Sequence, residues 1–209
     1  MLNTPRKRAS CARCLRPHRG CFCHLLQTVA NRIEVLILQD KTEATNAKNT
    51  GHLLHLSLEN SRVKQFDANA VLDNVMLQTL LYQGDKSPLL LYPPTPELSA
   101  MGLEMPANAP TMETLDPDRW RLVVIDATWR KSRKVLYLNP SLQRLSRFAL
   151  KNPPKSLYLI RKAANENQLS TLEASCYALQ QLEQGIVDYS PLLIAMQEFV
   201  AQQAAFRPV

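Results

Sequence analysis

Short apolar runs separated by helix-patterned segments constrain this chain more than any single motif. Ile33–Leu38, Pro88–Tyr92 and Arg121–Asp126 are five or six residues long and dominated by Val, Ile and Leu. Runs of that length bounded by polar segments read as buried strands rather than helices. Val63–Phe66 and Ser156–Ile160 are further strand candidates. Between them, residues 44–58 turn helical towards their end, 72–81 form a helix that stops at Gly84, and Thr128–Leu138 form another. Ser170-Thr-Leu-Glu173 is a capping box opening the next helix, and Ser190-Pro191 supplies an N-cap and an N1 proline for the last one. Strands alternating with helices predict an α/β fold with a parallel sheet, its ligands at the carboxyl ends of the strands. Seven of the fourteen prolines lie between Pro88 and Pro117, so that stretch beyond its strand reads as irregular loop.

The chain has 209 residues, 45% hydrophobic and 21% charged, which fits one globular domain with a small appendage. We divide it at residue 30, with a small metal-binding unit over 1–30 and the α/β unit over 31–209. There are five glycines, and neither G-x-G-x-x-G nor G-x-x-x-x-G-K-[ST] can be written with them. This argues against a dinucleotide-dependent oxidoreductase and a P-loop phosphotransferase. No apolar run of membrane-spanning length exists, and the start lacks the apolar stretch of a secretory signal, so we expect a cytoplasmic protein that does not engage a membrane.

Four of the five cysteines fall within thirteen residues, as Cys11-x2-Cys14-x6-Cys21-x-Cys23. In a reducing compartment such a cluster reads as a metal site, and four sulfurs favour a closed, structural, tetrahedral Zn2+. His24 and, less well placed, His18 are substitute ligands; an iron–sulfur cluster and a redox-active pair are the alternatives. A knuckle this small cannot bury a core of its own, so the metal must fold it. Cys176, on a helical pattern, reads as a small buried apolar residue.

Charge is segregated along the chain. Residues 1–24 hold six basic residues and no acid, and 119–162 hold twelve with the single acid Asp126; elsewhere carboxylates outnumber cations seventeen to seven. That pattern fits either a basic face meeting a polyanion or an ordinary solvated surface. Asp126 ends the clearest strand, so Asp126-Ala-Thr128-Trp129 is the first candidate site; the bland alternative has Asp126 capping the next helix and Trp129 packing on the sheet. The second candidate is Tyr158-Leu-Ile160-Arg161-Lys162, leaving a strand, with the capping box of Ser170, Thr171 and Glu173. Those cations and hydroxyl or amide donors suit a carboxylate-bearing ligand; a surface loop and a plain helix cap are the alternative.

Four elements in this order resemble the DTW-domain family: Asp126-x-Thr128-Trp129, Asn49-Thr50-Gly51, Leu159-Ile160-Arg161-Lys162, and Leu169-Ser170-Thr171-Leu172-Glu173-Ala174, led by the cysteine cluster. The resemblance runs from about Cys11 to the final helix. It implies a SPOUT-type sheet with a carboxy-terminal trefoil knot. It also implies a tRNA-uridine aminocarboxypropyltransferase that moves the 3-amino-3-carboxypropyl group of S-adenosylmethionine to N3 of a variable-loop uridine, releasing methylthioadenosine. Asp126, Thr128 and Trp129 are then the catalytic candidates, with Asp126 either the base for N3–H or the partner of the cofactor's ammonium. Tyr158, Ile160, Arg161, Lys162, Leu169, Ser170, Thr171 and Glu173 are the cofactor candidates, Glu173 mainly closing the capping box. Asn49, Thr50, Arg130, Lys131, Arg133 and Lys134 are the RNA candidates. Where many members have a His-Pro pair after the first strand, this chain has Gln39-Asp40-Lys41, and no role is carried onto that pair. We expect a monomer rather than a homodimer, with tRNA as partner. An S-adenosylmethionine-dependent RNA methyltransferase and a non-catalytic zinc-stabilised RNA-binding protein are the competing readings.

Overall fold

The computed structural model describes residues 9–93, 116–156 and 169–206. Its strands are β1 (Glu34–Asp40), β2 (Ser61–Phe66), β3 (Ser87–Leu91), β4 (Trp120–Asp126) and β5 (Arg147–Phe148). All pair in parallel, in the order β2-β1-β4-β3-β5. The helices are α1 (Lys41–Ala44), α2 (Gly51–Ser57), α3 (Asn74–Tyr82), α4 (Trp129–Leu138), α5 (Pro140–Gln143), α6 (Thr171–Leu182) and α7 (Ser190–Ala205).

The strands carry apolar residues on both faces because each face is covered. In β1, Val35 and Ile37 point into one core with α2, α6 and α7, while Leu36 and Leu38 point into another with α3, α4 and α5. Cys14 and Phe22 of the cysteine-rich segment join the first core, and the Phe22 ring meets Phe199 of α7 edge-on at 5.7 Å. Cys176 lies in the same core, fully buried. Among the described helices, none is long and apolar enough to cross a membrane.

Strand and helix starts follow local chemistry. Asp73 caps α3 by accepting from the Met76 amide at 2.7 Å, and Gly84, at φ +76°, ends it. Ser190 does not cap α7. The helix begins at Ser190 itself, with Tyr189 as N-cap and Pro191 in its first turn, and the free Ser190 amide at that end is satisfied by Asp188, which accepts from it at 2.9 Å. β5 is a two-residue strand too short to read from periodicity. The strand expected at Ser156–Ile160 lies beyond the described residues from 157 onward, as does most of the proline-rich stretch, at 94–115.

At the amino ends of the strands, the side chain of Arg121 is fully buried. It donates to Glu34 Oε2 at 2.9 Å and to the carbonyls of Leu80, Leu81 and Gln83, tying the end of α3 to the sheet. Burial pushes Glu34 upward, but Arg121 and Arg62 outweigh it and hold that carboxyl below its ordinary range.

Candidate active site

Chain direction diverges between β1 and β4. From β1 the chain runs outward to β2; after β4 it runs to β5 at the opposite edge. The carboxyl ends of β1 and β4 therefore border the crevice where parallel sheets bind ligands. Gln39 and Asp126 sit opposite each other there.

Asp126 is 3% exposed, and three side chains from other elements converge on it. Gln39 Nε2 donates to Oδ2 at 2.9 Å, Asn49 Nδ2 to the same oxygen at 2.7 Å, and Thr171 Oγ1 to Oδ1 at 2.7 Å. A carboxylate offers about four lone-pair sites, so this frame fixes the group and leaves about one acceptor position for a ligand. Asp126 does not cap α4: Thr128 does, accepting from the Lys131 amide at 3.4 Å.

Asn49 and Thr50 are both buried. The Asn49 Oδ1 accepts from the His52 amide at 3.0 Å, and the Thr50 hydroxyl accepts from the Leu172 amide at 3.4 Å, so this pair ties α2 to α6 around Asp126. Gly51, which opens α2, touches the Asp126 carboxylate from the same side. The capping box of α6 is complete: Ser170 Oγ accepts from the Glu173 amide, and Glu173 Oε2 accepts from the Ser170 amide at 2.7 Å. Glu173 also accepts from Ser156, and the Ser170 hydroxyl reaches Met196 Sδ at 3.3 Å. Leu169, half-buried, precedes the box. Tyr158, Ile160, Arg161 and Lys162 lie outside the described residues.

Trp129 does not pack on the sheet. It is 47% exposed and stacks on the buried Tyr92 ring at 5.2 Å and 11°, while the Arg147 guanidinium covers Tyr92 at 5.4 Å. Of the four α4 cations, Lys131 bridges Asp40 Oδ2 and Thr42 Oγ1, both at 2.5 Å, and Lys134 donates to Asn69 at 2.9 Å. Burial pushes Asp40 up, but Lys131, the Thr42 hydroxyl and the Ala68 amide hold it below its usual range. Arg130 and Arg133 are exposed.

Sequence reasoning missed Gln39, Tyr92 and the contact of Gly51 with Asp126. Gln39 had a signal: it stands at the end of the first strand, where register alone sets it beside Asp126. Tyr92 had none, since a ring stack leaves no periodic trace; Gly51 stood in the Asn49-Thr50-Gly51 element, but its close approach to Asp126 could not be read from spacing.

The sulfurs of Cys11, Cys14, Cys21 and Cys23 lie within 4.8 Å of one another. Cys11 and Cys23 are 3.6 Å apart, and Cys14 and Cys21 3.7 Å. Four thiolates about 2.3 Å from one Zn2+ would be about 3.8 Å apart, so the cluster fits a tetrahedral ion. The backbone amides of Cys14 and Arg13 pull the Cys11 thiol down to about 6, while burial and the adjacent thiols push Cys23 up to about 12. The knuckle is joined to the site by Arg16. Its guanidinium donates to the Ala47 carbonyl and, at 3.0 Å, to the Asn49 carbonyl, and lies over the Phe22 and Phe199 rings at 4.9 and 4.8 Å.

The DTW domain model matches residues 8–204, and the chain belongs to the DTW-domain family. Its relatives include proteins named tRNA-uridine aminocarboxypropyltransferase 2. The one from Drosophila melanogaster is 29% identical over 86% of this chain and 68% of its own length. Those from Macaca fascicularis and Mus musculus are 25% and 26% identical over 95% and 94% of this chain, and 64% of their own lengths. The chain thus spans about two thirds of these relatives. No solved structure matches it.

Proposed function

We propose that this protein is a tRNA-uridine aminocarboxypropyltransferase with S-adenosylmethionine as donor and N3 of a variable-loop uridine as acceptor. The observation that carries the reading is the carboxylate of Asp126, buried at the switch point of a parallel sheet and oriented by Gln39, Asn49 and Thr171. A fixed acceptor of this kind suits a reaction in which a weakly acidic N–H must be held or deprotonated, or an ammonium group aligned. When bound, S-adenosylmethionine supplies an electrophilic methylene beside its sulfonium, with methylthioadenosine as leaving group.

In this reading Asp126 accepts the uridine N3–H or the ammonium of the cofactor's amino-acid arm, through the lone-pair site its three donors leave open. Thr171 orients Asp126 and, with Ser170, brings the amino end of α6 to the arm. Arg161 and Lys162 are cations suited to the arm's carboxylate, Tyr158, Ile160 and Leu169 are further cofactor-binding candidates from the family resemblance, and the fold is of SPOUT type with a carboxy-terminal knot. Trp129, backed by Tyr92, walls the pocket, and Thr128 holds Trp129 in place by capping α4. The cysteine cluster holds a structural Zn2+. Arg130 and Arg133 offer charge to tRNA phosphates, and such binding weakens steeply with salt.

The test is transfer from S-adenosylmethionine labelled in its aminocarboxypropyl chain to unmodified tRNA, with nucleosides and by-products read by mass spectrometry. We expect labelled uridine and methylthioadenosine, lost in Asp126→Ala while tRNA affinity is kept. S-adenosylhomocysteine as by-product would instead mean methyl transfer. Equal activity of wild type and Asp126→Ala would remove Asp126 from the chemistry.

A further inference from the structure

Between the cysteine knuckle, α1 and α2 opens a cleft of about 1070 Å³. Among the described residues that line it are Arg16 and Arg19 from the knuckle, Lys41 from α1, and His52 and His55 from α2, with no carboxylate. Its lining also includes Gln39 and Asn49, the two amides that hold Asp126. Phe206, just past α7, lines it too and is 50% exposed.

The chemistry of this lining selects its occupant. Arg16, Arg19 and Lys41 are basic side chains, and Arg19 and Lys41 stand exposed. Both imidazoles are pushed down by burial, that of His52 further by Arg16, so near neutral pH they serve as hydrogen-bonding groups rather than charges. The ligand is therefore an anion with polar edges. Ligand pockets for small molecules run to about 300–1,000 Å³, so a lone phosphate leaves most of this cleft empty and a larger chain fits it better. A cationic groove beside an exposed aromatic ring is the arrangement that binds single-stranded nucleic acid, phosphates on the cations and a base on the ring.

We propose that the cleft seats a single-stranded stretch of the RNA substrate, its phosphates on Arg19 and Lys41 and a base against Phe206, with an adjoining nucleotide delivered to Asp126. The proposal rests on the proposed function only in taking tRNA as the RNA this protein binds. It places the RNA between the knuckle and the α1–α2 segment, with Phe206 beneath a base, in addition to any contact with α4.

The experiment measures binding of unmodified tRNA transcript to the full-length protein over a salt series, without cofactor. In Arg19→Gln/Lys41→Gln we expect affinity to fall at least about tenfold and the slope of log K against log salt to shrink by about 1 per charge removed. Phe206→Ala should weaken binding by about tenfold through lost stacking. Arg32→Gln/Lys86→Gln, at the opposite ends of the strands, should leave the slope as in wild type. Equal slopes and affinities in the cleft and control variants, with all of them folded by circular dichroism, would overturn the proposal. So would full displacement of tRNA by micromolar ATP or inorganic phosphate, which would make the cleft a small-anion site. Because the readout is binding, a protein that holds tRNA through the cleft yet transfers nothing would sink the transferase reading and leave this one standing.

Discussion

Gly51 lies flush against Asp126: a Cβ on residue 51 would fall 2.8 Å from Asp126 Cγ and closer still to Oδ2. The carboxylate has little room to yield, because Gln39 and Asn49 hold that oxygen from β1 and from the turn before α2. The glycine is required for close approach, not for an unusual backbone angle. We expect Gly51→Ala to cost about 1–3 kcal/mol of stability through overpacking. It should also lower transfer by about 100-fold, the effect of displacing a reacting group by about an ångström. Thermal melts and the labelled-cofactor assay read the two effects; full activity in Gly51→Ala would mean that the position of Asp126 is unimportant.

Adjacent residues at the start of α6 separate orientation from folding. Thr171 Oγ1 donates to Asp126 Oδ1 at 2.7 Å, whereas Ser170 spends its hydroxyl on the capping box. Thr171→Val keeps shape and removes one hydrogen bond, so we expect about 1 kcal/mol of destabilisation and a marked fall in kcat. Ser170→Ala should cost about 1 kcal/mol as a lost N-cap, with a smaller fall in kcat than Thr171→Val, since its hydroxyl does not touch Asp126. The reverse ranking of the two kcat values would show that Thr171 does not act through Asp126.

His52 and His55 give the fold an acid-sensitive seam. Burial holds both imidazoles below their ordinary value, with Arg16 adding to the effect at His52. In the unfolded chain they take protons at higher pH than in the folded one, so stability rises with pH across that interval. Their contribution is complete above the unfolded value of about 6.5 and is lost as pH falls below it. We expect the melting temperature to drop between about pH 7 and 5, and the drop to shrink in His52→Gln/His55→Gln. An unchanged pH profile in that variant would remove the histidines as its source.

Much of the sheet could be read from the chain because its strands are short runs of Val, Ile and Leu covered on both sides, and burial on both faces leaves a compositional mark. The end of β4 at Asp126 and the capping box at Ser170 were equally legible, since both are local. What composition hid was use. Arg121, counted among the basic residues of 119–162, is fully buried and closes the end of α3; Lys131 is spent on Asp40. A cation's sequence position does not tell whether it faces solvent or a partner folded in from elsewhere. Likewise Gln39, Asn49 and Thr171 meet at Asp126 from positions far apart in the chain, a convergence that tertiary packing creates and no spacing encodes.

Arg16 couples the knuckle to the site, so a Zn2+ held by the four cysteines, as proposed, would have a measurable consequence there. The guanidinium holds the Ala47 and Asn49 carbonyls while stacked on Phe22 and Phe199, and the Asn49 side chain in turn holds Asp126. Structural zinc sites of this size fold only with their ion, so stripping it should free Arg16, loosen the turn at 46–49 and remove one of the donors to Asp126. We expect chelation to lower the melting temperature and to abolish transfer even where α/β secondary structure persists by circular dichroism. Arg16→Lys should retain its metal, measured by elemental mass spectrometry, yet lose about tenfold in kcat, because an ammonium cannot reproduce the fork that spans two carbonyls while stacked between rings. Full transfer by the metal-free protein would show that the knuckle and Asp126 are uncoupled.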